Sequence, residues 1–129
     1  MNFNQFDSLL PPQAAERAAE VGVGKATKAP IKSFLLAISA GLHIGIAFIF
    51  YTTVTTGAGD LPWGITRLIG GLAFSLGLIL VVVTGGELFT SSVLTLVARA
   101  SGKISWQALI KNWFVVYFGN MVGALLLVA

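Results

Sequence analysis

Three long apolar stretches alternate with short polar segments along this chain of 129 residues. The first covers about residues 33–56 and contains one titratable side chain, His43. The second covers about 65–98 and the third about 106–129. A helix needs about 20 apolar residues, rising ~1.5 Å each, to cross a hydrocarbon core of ~30 Å. The pattern therefore predicts an all-α membrane protein with three transmembrane spans.

The second apolar stretch is too long for one straight span. Residues 68–98 carry a single charge, that of Glu87, and as one helix they would measure roughly 46 Å. Gly85 and Gly86 precede this charge, and glycine weakens a helix. Backbone that leaves a helix inside a membrane must be buried in protein or line a cavity, and in transporters such breaks mark the substrate path. We predict a mid-membrane break within residues 84–90, in a pore or carrier.

Basic residues outside the spans indicate how the chain is oriented. Residues 1–32 are polar, and their alanine-rich part, 12–28, predicts a solvated surface helix or, alternatively, a flap near the pore mouth. Positive side chains collect on the cytoplasmic side of membrane proteins. The N-terminal segment and the second connector are therefore expected in the cytoplasm, and the first connector, flanked by Arg67 alone, outside. The basic residues of the cytoplasmic side are Arg17, Lys25, Lys28, Lys32, Arg99, Lys103 and Lys111.

Composition agrees with a membrane protein and narrows the range of functions. The chain is 56% hydrophobic and 10% charged, with a mean hydropathy of +0.88. Its formal net charge of +3 is small, so nucleic acid is not an expected partner. The sequence holds no cysteine, metal-ligand cluster, nucleophile triad or phosphate loop, so we expect neither an enzyme nor a cofactor. Trp63, Trp106 and Trp113 fall at predicted span ends, where the membrane interface favours them.

Polar residues at the predicted break suit a small anion. Thr90 or Ser91 is expected to cap a second half-helix, which would place its N–H groups and positive dipole end near the bilayer centre. Glu87 is a candidate functional group because it is an intramembrane carboxylate. We expect it to stabilise the loop, together with Gly85 and Gly86, by accepting N–H groups that the break frees. A protonated Glu87 and a position in the cytoplasmic vestibule are the alternatives.

Apolar side chains flank this polar point. Phe74 and Leu78 share a helix face at i, i+4, and Leu88 and Phe89 lie in the loop. If all four face one lumen, they form narrow apolar necks that can gate by dewetting. The alternative is that Phe74 and Leu78 contact lipid or a neighbouring helix.

Two G-x-x-x-G patterns predict close helix packing. His43 lies in the first, between Gly41 and Gly45, and is expected to be a packed, neutral residue rather than a proton relay. The second, residues 119–123, contains Asn120, which is expected to form interhelical hydrogen bonds. We expect these Gly-rich faces to contact other copies of the chain.

Three stretches together resemble the bacterial formate/nitrite transporter family, most closely its formate-conducting members. They are Gly-Gly-Glu-Leu-Phe-Thr-Ser-Ser-Val-Leu at 85–94, Lys-Asn-Trp at 111–113 and Tyr-Phe-Gly-Asn at 117–120. Residues 6–30 fit as well, so the resemblance covers the whole chain. It implies an aquaporin-like fold of six spans built from two inverted repeats, of which this chain holds the first three. It also implies a homopentamer in the bacterial inner membrane, with one pore in each protomer and the N-terminus cytoplasmic.

The resemblance also implies roles for individual residues. The four apolar side chains named above match the pore constrictions, and Thr90 matches a loop threonine whose hydroxyl lies near the centre of the path. The family's pore histidine belongs to the second repeat, and His43 does not match it. The implied function is a channel for formate and similar small monovalent anions across the lipid bilayer.

Two other functions stay open at this point. One is a proton-coupled carrier of weak-acid anions from the same family, and the other is a small membrane assembly subunit without transport. The chain ends in five apolar residues without a polar flank, which indicates a piece of a longer protein and argues against the subunit. An aquaporin is disfavoured because the sequence contains no Asn-Pro-Ala.

Overall fold

The computed structural model describes residues 9–128, so Ala129 and the first eight residues of the polar N-terminal segment lie outside the description. Residues 9–128 form six α-helices, and the prediction of an all-helical chain is confirmed. Three of them, α2, α3 and α6, are long and apolar enough to cross a membrane. The helices are α1 (Pro11–Thr27), α2 (Pro30–Thr55), α3 (Trp63–Thr84), α4 (Phe89–Ser92), α5 (Leu94–Ala100) and α6 (Trp106–Leu125).

The first long helix begins earlier than its apolar residues indicate. Helix α2 starts at Pro30, three residues before the expected span. Proline suits the first position of a helix because its φ is already helical and its missing N–H would have had no partner there. Lys32 and Ser33 therefore belong to the first turn of a long apolar helix.

The second apolar stretch is interrupted within residues 84–90. Helix α3 ends at Thr84 and α4 begins at Phe89. Gly85 ends α3 in the left-handed region, with φ +66°, and its N–H donates to the carbonyls of the last turn. Glycine adopts this conformation without the steric cost that other residues meet. The parts on either side of the break are unequal: α3 has 22 residues, whereas α4 has four and α5 seven.

Helix α2 packs against both other long helices, and small residues form the contacts. Ala37, Ala40 and Ala47 are fully buried. A Cβ on Gly41 would lie 2.3 Å from the carbonyl oxygen of Asn120 in α6, so only glycine permits this approach. Close approach of helix backbones through small residues is the usual form of packing in membranes.

The Gly-rich faces are used inside the chain, and the expectation that they contact other copies is wrong for these residues. Gly41 packs on α6, and a Cβ on Gly123 would lie 2.1 Å from the carbonyl oxygen of Ile38 in α2. A Cβ on Gly119 would lie 2.5 Å from that of Ala37. A G-x-x-x-G pattern indicates that another helix packs closely, but it does not show whether that helix belongs to the same chain or to another copy.

Helix α1 is a surface helix with one packed face. Ala19 and Gly22 are buried where α1 runs along α5. A Cβ on Gly22 would lie 2.3 Å from the carbonyl oxygen of Leu94. Most residues of α1 outside this packed face are exposed or half-buried, and the small side chains on the packed face bring the backbones of α1 and α5 together.

Candidate functional site

The backbone of the helix break is held by one side chain of α6. The Nδ2 group of Asn120 donates to the carbonyl oxygens of Ala37 and Glu87, both at 2.8 Å. The backbone N–H of Phe89 donates to the Asn120 Oδ1 at 2.9 Å. The N–H of Glu87 donates to the carbonyl of Leu36 at 3.2 Å. Asn120 therefore forms the predicted interhelical hydrogen bonds and also fixes the end of the loop that leads into α4.

The start of α4 differs from the expected cap. The N-cap residue is Leu88, which cannot supply a side-chain acceptor, and Asn120 of α6 takes that role for Phe89. Neither Thr90 nor Ser91 is the N-cap: the side chain of Thr90 is exposed and the hydroxyl of Ser91 donates back to the Leu88 carbonyl at 2.9 Å. The prediction that Thr90 or Ser91 caps this helix was wrong, because the side chain that accepts the hydrogen bond of the Phe89 N–H lies 31 positions away in the sequence.

The expected half-helix after the break runs from Phe89 to Ala100, with a one-residue irregularity at Val93, whose φ of −57° and ψ of −27° are still helical. Val93 separates α4 from α5, and α4 has four residues. A macrodipole needs aligned peptide units over several turns. The N–H groups of Ser91 and Ser92 already donate to the Leu88 carbonyl. The first N–H groups of this half-helix are thus partly used, and positive side chains add charge near the break.

Two lysines at the end of α1 supply that charge. Lys25 and Lys28 each form an ion pair with the carboxylate of Glu87, which is 2% exposed as a residue. The sequence pattern predicted freed backbone N–H groups as the partners of this carboxylate, but its partners are two ammonium groups. A buried charge needs such partners because desolvation is otherwise costly. Two positive charges against one negative leave a formal excess of +1.

An open cavity of about 510 Å³ lies beside the break, between α1 and the end of α3. Both lysines and Glu87 border it, together with apolar side chains from α3 and the loop. The cavity therefore combines a paired charge cluster with apolar walls. The predicted site residues that line it are Leu78, Gly85, Gly86, Glu87 and Leu88.

The other three predicted site residues lie elsewhere in this chain. Phe74 packs edge-on against Phe48 of α2 with ring centroids 5.0 Å apart, which matches the alternative of contact with a neighbouring helix. Phe89 lines a separate apolar cavity of about 290 Å³ on the α6 side. Thr90 is exposed and lines neither of these two cavities. The chain thus brings Leu78 and Leu88 together, but not all five expected pore residues.

Aromatic residues of α6 pack against Phe89, which follows the loop. The ring of Phe89 meets Trp113 and Tyr117 edge-on, at centroid distances of 5.8 and 5.6 Å. The Nε1 group of Trp113 donates to the carbonyl of Ser92 at 3.1 Å and to the Thr95 Oγ1 at 2.9 Å. Trp113 therefore connects α6 to α4 and α5, whereas its place at the end of a predicted span had indicated a membrane interface.

The structure adds three residues that the sequence did not point to. From sequence, Lys25 and Lys28 indicated only the orientation of the chain, although a lone carboxylate in a 31-residue apolar stretch already required cationic partners. Asn112 donates from Nδ2 to the carbonyl of Lys25 at 3.1 Å and so positions the end of α1. Its place in the Lys-Asn-Trp stretch was the available signal.

His43 stands apart from this site. It lines neither the cavity at the break nor the separate apolar cavity that Phe89 lines. Its Nδ1 atom is buried and has no hydrogen-bond partner among residues 9–128. Its backbone carbonyl contacts α3, since a Cβ on Gly77 would lie 2.8 Å from it.

Comparison with known proteins gives one family. Residues 12–129 match the family described as formate/nitrite transporter. The formate channel FocA of Escherichia coli strain K12 is 62% identical over 125 residues, which cover 97% of this chain and 44% of that protein. The formate channel FocA of Haemophilus influenzae is 52% identical over 122 residues, covering 95% of this chain and 43% of that protein. The chain thus spans less than half the length of these relatives.

A solved structure described as a pentameric formate channel with formate bound has the same fold. It superposes with a TM-score of 0.71 and 75% sequence identity, covering 77% of this chain and 39% of that chain. The family match extends over nearly all of the chain and includes the helix break and the residues that hold it. The chain therefore belongs to the formate/nitrite transporter family, which consists of membrane transporters and not of enzymes.

Proposed function

We propose that this chain forms the N-terminal half of a channel that passes formate and similar small monovalent anions across a bacterial inner membrane. In this proposal the full-length protein has six spans, made of two inverted repeats in an aquaporin-like arrangement. Five copies assemble, each with its own pore, and the N-terminus lies in the cytoplasm. The identity of 62% to a formate channel supports the anion, and the basic residues of α1 and of the α5–α6 connector support the orientation.

The observation that carries the proposal is the helix break beside the cavity. Residues 85–88 leave the helix, yet their backbone is held by Asn120 and by Leu36. A break that is held in this way can line a permeation path without exposing unpaired backbone groups to lipid. The ion pairs of Glu87 anchor the same loop to α1.

The chemistry of the cavity suits a small anion. The charge excess of Lys25 and Lys28 over Glu87 attracts an anion from solution. Leu78 and Leu88 are the apolar side chains that the anion then meets, and a narrow apolar neck opposes an ion by stripping its water. We propose that the second half of the fold closes this neck.

The remaining predicted residues enter the proposal as parts of the complete pore. Phe74 and Phe89 are proposed to line it when the second half is present, and the exposed hydroxyl of Thr90 is proposed to donate a hydrogen bond to the passing anion. Gly85 and Gly86 give the loop its shape, since Gly85 has φ +66° and a Cβ on Gly86 would lie 3.1 Å from that of Ala40.

The test is formate flux into proteoliposomes that contain the full-length protein. Leu78→Ala and Leu88→Ala are expected to raise flux or relax selectivity, because the shortened side chains admit water into the neck. Thr90→Val is expected to slow flux about 2- to 10-fold, since a net hydrogen bond of roughly 0.5–1.5 kcal/mol is lost while the shape is kept. Leu72→Ala is the control, because Leu72 lies on the same helix, is 66% exposed and does not line the cavity.

Unchanged flux in all three well-folded variants would contradict the assignment of the path. The same assay, with the pH controlled on both sides of the membrane, distinguishes the channel from the proton-coupled carrier. A channel passes formate down its own gradient at equal pH on both sides, whereas net uptake against that gradient, driven by an imposed proton gradient, would favour the carrier. Absence of flux in the wild type would favour the assembly subunit.

A further inference from the structure

One positive charge lies at the end of α3 that is opposite the helix break. Between Lys32 and Arg99, Arg67 is the only lysine or arginine of the chain, and its side chain is exposed. None of the ion pairs among residues 9–128 includes it, so no carboxylate in this part of the chain balances its charge. Positive side chains collect mainly on the cytoplasmic side, so a cation at the proposed outer end needs a physical reason.

Two aromatic residues hold the guanidinium group of Arg67 in place. Its Nη1 group donates a hydrogen bond to the hydroxyl of Tyr51 in α2, and its Cζ lies 5.5 Å from the ring centroid of Trp63. The ring of Tyr51 is itself packed against α3, since a Cβ on Gly70 would lie 2.6 Å from its Cε2. Both partners are neutral, so they orient the cation without cancelling its charge. A guanidinium oriented in this way can still bind a carboxylate through two parallel hydrogen bonds.

The face of α3 that carries Arg67 also carries residues of the proposed permeation path. Arg67, Gly71, Phe74 and Leu78 are spaced by four, three and four positions, so they share one face of the helix. Leu78 lines the cavity at the break, and a Cβ on Gly71 would meet nothing within 4 Å, so this face is open on the way. Along the helix axis Arg67 precedes Phe74 by roughly 10 Å and Leu78 by roughly 16 Å.

We propose that Arg67 binds the carboxylate of formate at the outer mouth and holds it before it enters the apolar neck. This role rests on the proposed channel function. A unit charge about 5 Å from an anion in water raises the local concentration of that anion about fourfold. An apolar neck opposes ions of either sign by removing their water, so a fixed cation in front of it favours anions over cations.

The experiment measures transport of labelled formate by the full-length protein, as a function of formate concentration, in right-side-out and in inside-out membrane vesicles. Arg67→Gln is expected to raise the half-saturating concentration about fourfold in right-side-out vesicles. In inside-out vesicles it is expected to leave this concentration unchanged, because formate from the cytoplasmic side passes the neck before it reaches Arg67. Arg67→Lys keeps the charge and is expected to stay within about twofold of the wild type.

Arg17→Gln is the matched control, because it makes the same chemical change at an exposed arginine of α1, paired with Glu20. It is expected to leave the half-saturating concentration unchanged in right-side-out vesicles. Tyr51→Phe removes the hydroxyl that accepts from Arg67 and is expected to raise that concentration about twofold. In the Arg67→Gln background it is expected to have no further effect, because there is no longer a guanidinium to orient.

Ionic strength separates an effect of charge from a change of structure. The Debye length is ~30 Å at ~10 mM salt and ~3 Å at ~1 M salt. The difference between Arg67→Gln and the wild type is therefore expected at low ionic strength and is expected to disappear at high ionic strength. A difference of the same size under both conditions overturns the electrostatic role of Arg67.

The other outcomes separate this role from the channel itself. Equal half-saturation in Arg67→Gln and wild type at low ionic strength overturns the role of Arg67 and leaves its guanidinium facing water or lipid headgroups, while the formate transport measured still supports the channel. Wild-type transport that rises linearly with formate concentration shows that no residue holds the anion and also overturns this role. A rise confined to inside-out vesicles overturns the outer location. Absence of formate transport in the wild type overturns the channel and the role of Arg67 together.

Discussion

At the helix break, the amide of Asn120 makes hydrogen bonds with three segments at once. It bonds the carbonyl of Ala37 in α2, the carbonyl of Glu87 in the loop and the N–H of Phe89 at the start of α4. Each such bond contributes about 1 kcal/mol net, and an N–H left unpaired in a buried place costs more. One side chain thus holds the loop shape that the proposed path requires.

Asn120→Ala is expected to lower the free energy of unfolding by about 2–4 kcal/mol, because three hydrogen bonds are lost together. The measurement is unfolding of the full-length protein by SDS in mixed micelles. Gln107→Ala is the control, since Gln107 is an exposed amide on the same helix and its loss is expected to cost less than about 0.5 kcal/mol. Equal stability of the two variants would show that the Asn120 bonds are unimportant.

Replacement of Glu87 is also expected to lower the free energy of unfolding by a few kcal/mol. Glu87→Gln leaves Lys25 and Lys28 facing a neutral amide, and removal of one partner from a buried ion pair costs about 3 kcal/mol. Glu20→Gln is the matched control, because its pair with Arg17 is exposed and contributes less than about 1 kcal/mol. Adding Lys28→Met to Glu87→Gln is expected to restore part of the loss. A Glu87→Gln protein as stable as the wild type would mean that these pairs do not support the loop.

The structural role of a residue could be predicted from sequence only where that role does not depend on which residue is its hydrogen-bond partner. The sequence indicated that Asn120 forms interhelical hydrogen bonds, because a polar amide in an apolar helix must find a partner. It could not indicate that this amide caps α4, since the cap joins residues 31 positions apart. Thr90 and Ser91 were expected there because capping rules describe only the local chain.

At the scale of the elements, the lengths of the apolar stretches predicted the long helices. Three apolar stretches became three candidate spans, and Gly85 and Gly86 marked the interruption. The break divides the stretch unequally, because α3 continues to Thr84 and the helical part after the break ends at Ala100. Packing of α1 could not be predicted either, because alanine and glycine carry little apolar signal while permitting close contact.

A pair of glycines in α1 tests its docking. Gly22→Ala is expected to push α1 away from α5, because its Cβ would lie 2.3 Å from the carbonyl oxygen of Leu94. Such overpacking costs about 1–3 kcal/mol. Gly24→Ala is the control with the opposite sign: a Cβ there meets nothing within 4 Å, and alanine favours the helix by up to about 1 kcal/mol.

Hydrogen exchange of the α1 amides in the full-length protein measures both variants. Faster exchange in Gly22→Ala together with slower exchange in Gly24→Ala would support a docked α1. Identical exchange in the two variants would mean that α1 does not rest on α5.

At the scale of the whole molecule, the docking of α1 bears on the orientation. Lys25 of α1 and Lys28, which directly follows this helix, pair with Glu87 in the loop after α3, so the C-terminal end of α1 and the helix break lie on the same side of the chain. The α5–α6 connector belongs to this side as well, because α1 packs along α5. The α2–α3 connector lies at the other ends of two helices of 26 and 22 residues, each long enough to cross a membrane.

This arrangement makes the proposed orientation testable with two fusions. A periplasmic reporter inserted after Gly59, between α2 and α3, is expected to be active, and one inserted after Ser101, between α5 and α6, inactive. A cytoplasmic reporter is expected to give the reverse at both sites. The reason is that the basic residues of α1 and of the second connector all lie on the side of Ser101, and positive loops are retained in the cytoplasm. Activity of the periplasmic reporter after Ser101 would invert the orientation and would place the Lys25–Lys28–Glu87 cluster at the outer mouth of the proposed pore, where its charge would attract anions from the periplasm instead.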